Sequence, residues 1–217
     1  MKKIVILLVL LGTFSCSKSV SQIKNLQAFS EAPKINLPYG DKEVLYNFPN
    51  EWTAANTASD AAYNKMGQLY EDVENPNRKK ITAYYSEISS VLAKEFIPSE
   101  AVKNKKEKLE IKIAKVFTVS GAEVYSIVYQ GKIDCNNCEY PESQIQNVLV
   151  SIKDGKVIDK LSVSYVNGSD LSRSTRFFYI DENSIIHSKD FKSDEEGVTF
   201  VRYLKYKINP EGKFIKQ

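Results

Sequence analysis

Two cysteines in the stretch KIDCNNCEYPES have the spacing of a reactive or metal-binding pair. Cys135 and Cys138 are separated by two residues, which suits a redox centre, half of a zinc site or a local disulfide. A redox pair usually opens a helix, whose N-terminus stabilises the thiolate. Here a strand-like segment precedes the pair and Pro141 follows it, with no helical pattern. We therefore predict a disulfide between Cys135 and Cys138, formed in an oxidising compartment.

The remaining titratable residues offer little catalytic chemistry. His187 is the only histidine, and it alternates with Ile185 and Phe191, which predicts a partly buried strand residue with satisfied hydrogen bonds. Structural zinc requires four Cys or His ligands, and His187 with the cysteine pair supplies three, so we predict no metal and no cofactor. The acidic run 194–196 lies beside a turn and is expected to be solvated. Two acids that meet in space would still suffice for a carboxylate-dependent hydrolase.

Aromatic residues are the other notable chemical signal. The chain has thirteen Tyr and ten Phe but one Trp, and the segment STRFFYI places Arg176 directly before Phe177, Phe178 and Tyr179. Consecutive strand residues point to opposite faces of a sheet, so these aromatics must divide between two faces. Either both faces belong to the core, or one of them contacts solvent or a ligand.

The N-terminus has the composition of an export signal. Lys2 and Lys3 precede an unbroken apolar run from Ile4 to Leu11, and the small-residue stretch GTFSCSKS follows. This charged, apolar and small-residue order is typical of a secretory signal peptide, which we assign to residues 1–15. The apolar run is too short for a transmembrane helix, which needs about 20 residues.

The stretch TFSCSKS also resembles the lipobox of bacterial lipoprotein precursors, in the relaxed Bacteroidota-type form. In that family the signal peptide is removed directly before the cysteine, which then carries a diacylglycerol and an acyl group such as palmitate. The resemblance implies that Cys16 is the lipid attachment site. By the same resemblance, Ser17 in place of Asp argues against retention in the inner membrane, so we expect an outer-membrane lipoprotein facing the periplasm. Thr13 and Ser15 also fit ordinary signal peptidase, which would release a secreted protein without lipid.

The charge balance argues against nucleic acid as a partner. The formal net charge is +3, and removal of Lys2 and Lys3 with the signal peptide lowers it to +1. The densest basic run, residues 102–112, is interrupted by Glu107 and Glu110 and is expected to be a solvated junction.

The mature chain divides into a tether and one domain. Residues 16–38 lack sustained periodicity and contain Pro33 and Pro38, which predicts a lipidated N-terminus with a flexible tether. Residues 39–217 form a single α+β domain. Its helical part, about 55–97, is expected to hold two helices. The second helix has the clearer apolar stripe, which comprises Ile81, Tyr84, Tyr85, Ile88, Val91, Leu92 and Phe96.

From about residue 107 to 217 the apolar period falls to two, which predicts half-buried antiparallel strands. Hairpin turns are expected at Asp154-Gly155, at Asn167-Gly168 and around Gly212. Short connections make sequential strands pair, so we expect an antiparallel meander of about eight strands. Such a long sheet is expected to be curled or half-barrel, with the helical pair packed on one face.

These observations favour a lipid-anchored binding or interaction module over an enzyme, because no catalytic motif is present. Its ligand would be a protein, peptide or glycan. One alternative is an inhibitor or immunity-like lipoprotein in the same compartment, and another is the carboxylate-dependent hydrolase.

Overall fold

The computed structural model describes residues 26–40, 86–87, 96, 110–133, 142–168, 172–195 and 197–217. These residues form one short helix and an antiparallel sheet of ten strands. The elements are α1 (Leu26–Ser30), β1 (Tyr39–Gly40), β2 (Ser86–Glu87), β3 (Glu110–Val119), β4 (Ala122–Ile133), β5 (Glu142–Lys153), β6 (Lys156–Gly168), β7 (Ser172–Ile180), β8 (Ile186–Asp194), β9 (Gly197–Ile208) and β10 (Phe214–Lys216).

The predicted meander is confirmed for β3 to β10, which are eight strands. Each pairs with its sequence neighbour, and the order across the sheet runs from β10 to β2. The sheet is open, because β10 and β2 stand at opposite ends of this order among the described residues. Adjacent pairing follows from the short hairpin connections.

The predicted helical pair is not supported. Most of residues 55–97 lie outside the described residues, where the prediction is not tested. Ser86 and Glu87 fall inside the second predicted helix, yet they form β2 and pair with Ile113 and Lys112 of β3. The helical prediction is therefore wrong at these two positions, where pairing with a sheet edge outweighs the apolar stripe that suggested a helix.

Two tight turns set the pairing at the ends of the long hairpins, and register shifts change it further along the strands. Asp154 and Gly155 both have positive φ, 51° and 69°, as a two-residue hairpin turn requires, which confirms the predicted turn. Ser120 and Gly121 join β3 to β4 in the same way, with φ of 50° and 79°, and this turn was not predicted.

The other two predicted turns have different outcomes. Gly212, with φ of 89°, lies in the connection between β9 and β10 as expected. The turn predicted at Asn167-Gly168 is wrong, because β6 continues through Gly168. A Cβ atom at Gly168 would lie 2.2 Å from the Ser172 carbonyl oxygen, so glycine here permits the close approach of β7.

Strands that are distant in the sheet order contact each other. β6 and β7 pair only over Tyr165–Gly168, so the sheet opens at this point. The strands after this point share buried side chains with one face of β3 to β5. One core cluster joins these two parts and includes Val116, Val124, Leu149, Phe178, Ile180 and Ile186. The backbone N–H of Phe214 also donates a 2.9 Å hydrogen bond to Asp159 of β6.

The outer face of β3 to β5 carries a second apolar cluster. It contains Ile113, Tyr125, Ile127 and Val150, and Phe29 of α1 packs on it. Of the helices in the described part of the chain, none is long and apolar enough to span a bilayer.

Residues 33–40, here called the N-terminal strap, cross from β3 to β7. The Lys115 N–H donates to the Pro33 carbonyl and the Ile35 N–H donates to the Lys115 carbonyl, both at 2.8 Å. At its far end β1 pairs with Tyr179 and Ile180 of β7. Residues 33–38 fall in the stretch predicted as a flexible tether, and in the structure they pack on the sheet.

Candidate ligand-binding cleft

A cleft of about 360 Å³ lies where three chain segments meet. The β3–β4 turn and the β5–β6 turn form two of its sides, and the end of α1 forms the third. Its lining residues are Phe29, Ser30, Lys115, Gly121, Glu123, Tyr125, Ile152, Asp154 and Gly155.

Strand geometry brings three polar side chains of the cleft together. Glu123 and Tyr125 are two residues apart on β4, so they share a face of the sheet. Lys115 lies opposite Tyr125 because the β3–β4 ladder that starts at the Ser120-Gly121 turn shifts its register between Phe117 and Lys115. Lys115 and Glu123 are therefore diagonal neighbours on the cleft wall.

Glu123 accepts hydrogen bonds from both neighbours. Lys115 Nζ donates to Glu123 Oε1, and Tyr125 Oη donates to Glu123 Oε2 at 2.9 Å. The hydrogen bond from Lys115 lowers the pKa of Glu123, while burial and the Glu123 carboxylate raise the pKa of Tyr125. The carboxylate is thus held ionised and the phenol neutral, an arrangement that suits binding better than proton transfer near neutral pH.

The floor of the cleft is apolar and its rim is charged. Phe29, Tyr125 and Ile152 are buried, and the rings of Phe29 and Tyr125 pack edge to face with centroids 5.0 Å apart. The Lys115 and Glu123 side chains are 27% and 42% exposed, and Asp154 is exposed at the rim. Because the two acids outnumber the lysine, the rim favours a ligand that brings a cationic group and an apolar side chain.

A second polar cluster lies at the junction of β6 to β9. Arg176 Nε and Nη2 donate to the two oxygens of Asp190 at 2.5 and 2.8 Å, and Arg202 Nε donates to Asp190 Oδ2 at 2.6 Å. Arg176 also donates to the Ser162 carbonyl, and its guanidinium lies 5.0 Å from the ring centroid of Tyr165. Burial would raise the pKa of Asp190, but the two guanidinium groups lower it below its ordinary value.

This cluster settles the role of the STRFFYI segment. Arg176 is 8% exposed, and Phe177, Phe178 and Tyr179 are all 4% exposed or less. Of the two interpretations, core packing is confirmed for the three aromatic residues.

His187 has the environment that its sequence predicted. It is partly buried, with Nδ1 2.5 Å from Tyr203 Oη and Nε2 3.2 Å from Asp181 Oδ2. Asp181, His187 and Tyr203 thus follow one another as an acid, an imidazole and a phenol, which is the order of groups in a catalytic relay. However, burial and the Asp181 charge raise the pKa of Tyr203, which is the opposite of nucleophile activation. The three residues form a hydrogen-bonded link between β8, β9 and the β7–β8 turn.

The other predicted site residues, Cys16, Cys135 and Cys138, lie outside the described residues. Within the described ranges, no group of three His, Cys, Asp or Glu side chains is arranged to hold a metal ion. The cleft residues Lys115 and Glu123 were not singled out in the sequence. The Ser120-Gly121 turn alone would place Lys115 opposite Ser126, so the register shift between Lys115 and Phe117 is also needed to bring Lys115 and Glu123 to one face.

Comparison with known proteins gave no relative. No protein-family model matches the chain, and no significant match was found among curated proteins or solved structures.

Proposed function

We propose that this protein is a lipid-anchored envelope protein that binds a peptide in the cleft beside Glu123. The lipid on Cys16 attaches the protein to the outer membrane, where it faces the periplasm. The observation that carries the binding assignment is the cleft itself, in which an ionised Glu123 and an exposed Asp154 surround an apolar floor.

A peptide matches this chemistry better than a glycan does. An aliphatic side chain can cover the floor, and a free amino terminus or lysine can pair with Glu123 and Asp154. A neutral glycan carries no cationic group that could pair with these two acids. The fixed protonation states of Glu123 and Tyr125 also favour binding over hydrolysis.

The proposed anchor would keep the cleft close to the membrane. Cys16 and Phe29 are 13 positions apart in the sequence. A fully extended chain spans at most about 3.6 Å per residue, so the cleft wall would lie within roughly 45 Å of the lipid surface. The ligand is then expected on another envelope component or on a peptide released at that surface.

Calorimetric titration of the full-length mature protein with a tripeptide of sequence Leu-Ala-Ala tests the binding proposal. We expect saturable binding that weakens by about tenfold or more in Glu123→Gln, since a charge-assisted hydrogen bond contributes ~1.5–3 kcal/mol. N-acetylation of the peptide should weaken binding similarly. Glu182→Gln, an exposed acid outside the cleft, is the matched control. Absence of saturable binding, or equal binding by Glu123→Gln, would refute the proposal.

Intact mass spectrometry of the membrane-extracted protein tests the anchor. We expect a chain that begins at Cys16 and carries acyl groups, with Cys135 and Cys138 protected from alkylation until a reductant is added. An unmodified chain beginning at Ser17, or one retaining residues 1–15, would contradict the anchor. Alkylation of Cys135 without reduction would contradict the disulfide.

A further inference from the structure

A second cavity, of about 430 Å³, lies on the other side of Lys115. It is a groove between the N-terminal strap and β3, lined by residues 34–37 of the strap and 115–118 of β3. The groove exists because the strap meets β3 at one bridge, between Lys34 and Lys115, and then leaves it to reach β7.

The wall of this groove is the edge of a sheet. At Lys115 both backbone groups are used by the strap, through bonds to Pro33 and Ile35. β3 then continues to Val119 and pairs with β4 along one edge. Along the opposite edge of β3, the described part of the chain places no strand beside residues 116–119. Free backbone groups along a strand edge are ready to pair with an added strand.

The side chains around the groove define what such a strand should carry. The two charged residues that line it are Lys34 and Lys115, and its lining contains no acid. Lys34, Asn36 and Thr118 are exposed, whereas Val116 and Phe117 are buried in the core behind the groove. Because the Lys115 ammonium is paired with Glu123 in the cleft, the exposed Lys34 supplies the positive charge of the groove.

We propose that an extended acidic peptide segment adds to the edge of β3 in this groove, with a carboxylate of the segment paired to Lys34. Residues 116–119 span about 13 Å at ~3.3 Å per residue, which is room for roughly four residues of the incoming strand. The inference rests on the proposed peptide-binding function, because Lys115 lines both cavities and one peptide can reach from the groove to the cleft.

Backbone methylation of the peptide separates strand addition from docking through side chains alone. The probe is a fluorescent hexapeptide of alternating Val and Glu with a free amino terminus, measured by anisotropy with the full-length mature protein. Two further peptides carry N-methyl groups on either the odd or the even amides. In an added strand only one of these sets faces β3. We expect one methylated peptide to bind at least about tenfold more weakly and the other to bind like the parent.

Charge reversal locates the bound peptide. Lys34→Glu should weaken binding of the parent by about fivefold or more, whereas Lys207→Glu, an exposed lysine on β9, should leave it unchanged. If both methylated peptides bind like the parent, or Lys34→Glu has no effect, the strand-addition inference is overturned while peptide binding in the cleft stands. If the tripeptide titration and the hexapeptide both show no binding, the proposed function and the inference fall together.

Discussion

The two ion clusters of this protein use the same kind of chemistry in opposite surroundings. In the cluster of Arg176, Asp190 and Arg202, the central carboxylate is 5% exposed and accepts three hydrogen bonds from two guanidinium groups. In the cleft, the Glu123 side chain is 42% exposed, and its carboxylate accepts hydrogen bonds from one lysine and one phenol. Burial decides their roles, because a buried charge must be fully paired whereas a half-exposed one can exchange partners with a ligand.

The position of the buried cluster explains why it is needed. β6 and β7 pair over only four residues, so the ladder that would hold the two parts of the sheet together is short. Arg176 of β7 spans this place by bonding to the Ser162 carbonyl of β6 and to Asp190 of β8, and Arg202 adds β9. The side chains thus supply cross-links where backbone pairing stops.

Removal of the buried carboxylate is the change with the largest expected effect. Asp190→Ala leaves the buried Arg176 guanidinium without its counter-charge, and loss of one partner of a buried ion pair typically costs about 3–5 kcal/mol. We expect that decrease in the free energy of unfolding, measured by urea denaturation at pH 7. Glu123→Ala is the matched control, with an expected loss of at most ~1 kcal/mol. Similar losses in both variants would show that burial does not separate the two clusters.

Low pH should also affect the two clusters differently, with a smaller change in the free energy of unfolding than Asp190→Ala causes. The pKa of Asp190 is lowered in the folded protein, so its contribution to stability is complete above its unfolded-state pKa of about 3.9 and is lost as the pH falls below that value. Carboxylates ordinarily titrate between roughly pH 5 and roughly pH 2. Over this range, the unfolding free energy of the wild-type protein should therefore fall more steeply than that of Asp190→Asn.

The control for the acid experiment is Glu123→Gln. The pKa of Glu123 is also lowered, but this carboxylate is half-exposed and its charge is screened by water. The variant should keep most of the wild-type acid sensitivity. Parallel curves for wild type and Asp190→Asn would mean that other carboxylates dominate acid unfolding.

The sequence predicted the meander well because most of its strands carry a period-two signal of their own and two of its turns have the expected residue types. The turn at Asp154-Gly155 illustrates this, since the residue types needed for positive φ stand between two alternating segments. The stripe around Ser86 misled because apolar spacing in one segment does not reveal whether a sheet edge lies nearby to pair with it.

The cleft could not be predicted in the same way. Its wall depends on the registers of two hairpins and on the docking of Phe29 from a segment that looked like a tether. Such contacts join residues distant in sequence, and no periodic pattern encodes them. The burial of Arg176 could not be predicted either. An arginine beside aromatic residues suggests an exposed surface unless its buried partner, here Asp190, is known.

Replacement of the cleft phenol should have the smallest effect on stability and still change binding. Tyr125→Phe keeps the ring that packs against Phe29 and removes the hydroxyl that donates to Glu123. Because Glu123 is half-exposed, water can replace that donor, and we expect the unfolding free energy to fall by ~1 kcal/mol or less.

The same substitution should alter the cleft as a receptor. Without the phenol, Glu123 is oriented by Lys115 alone, so the tripeptide should bind several-fold more weakly by calorimetry while the urea midpoint stays close to that of wild type. A stability loss as large as that of Asp190→Ala would mean that the Lys115, Glu123 and Tyr125 group is structural. The contrast between a buried cluster that holds the fold and a half-exposed one that meets a ligand would then fail.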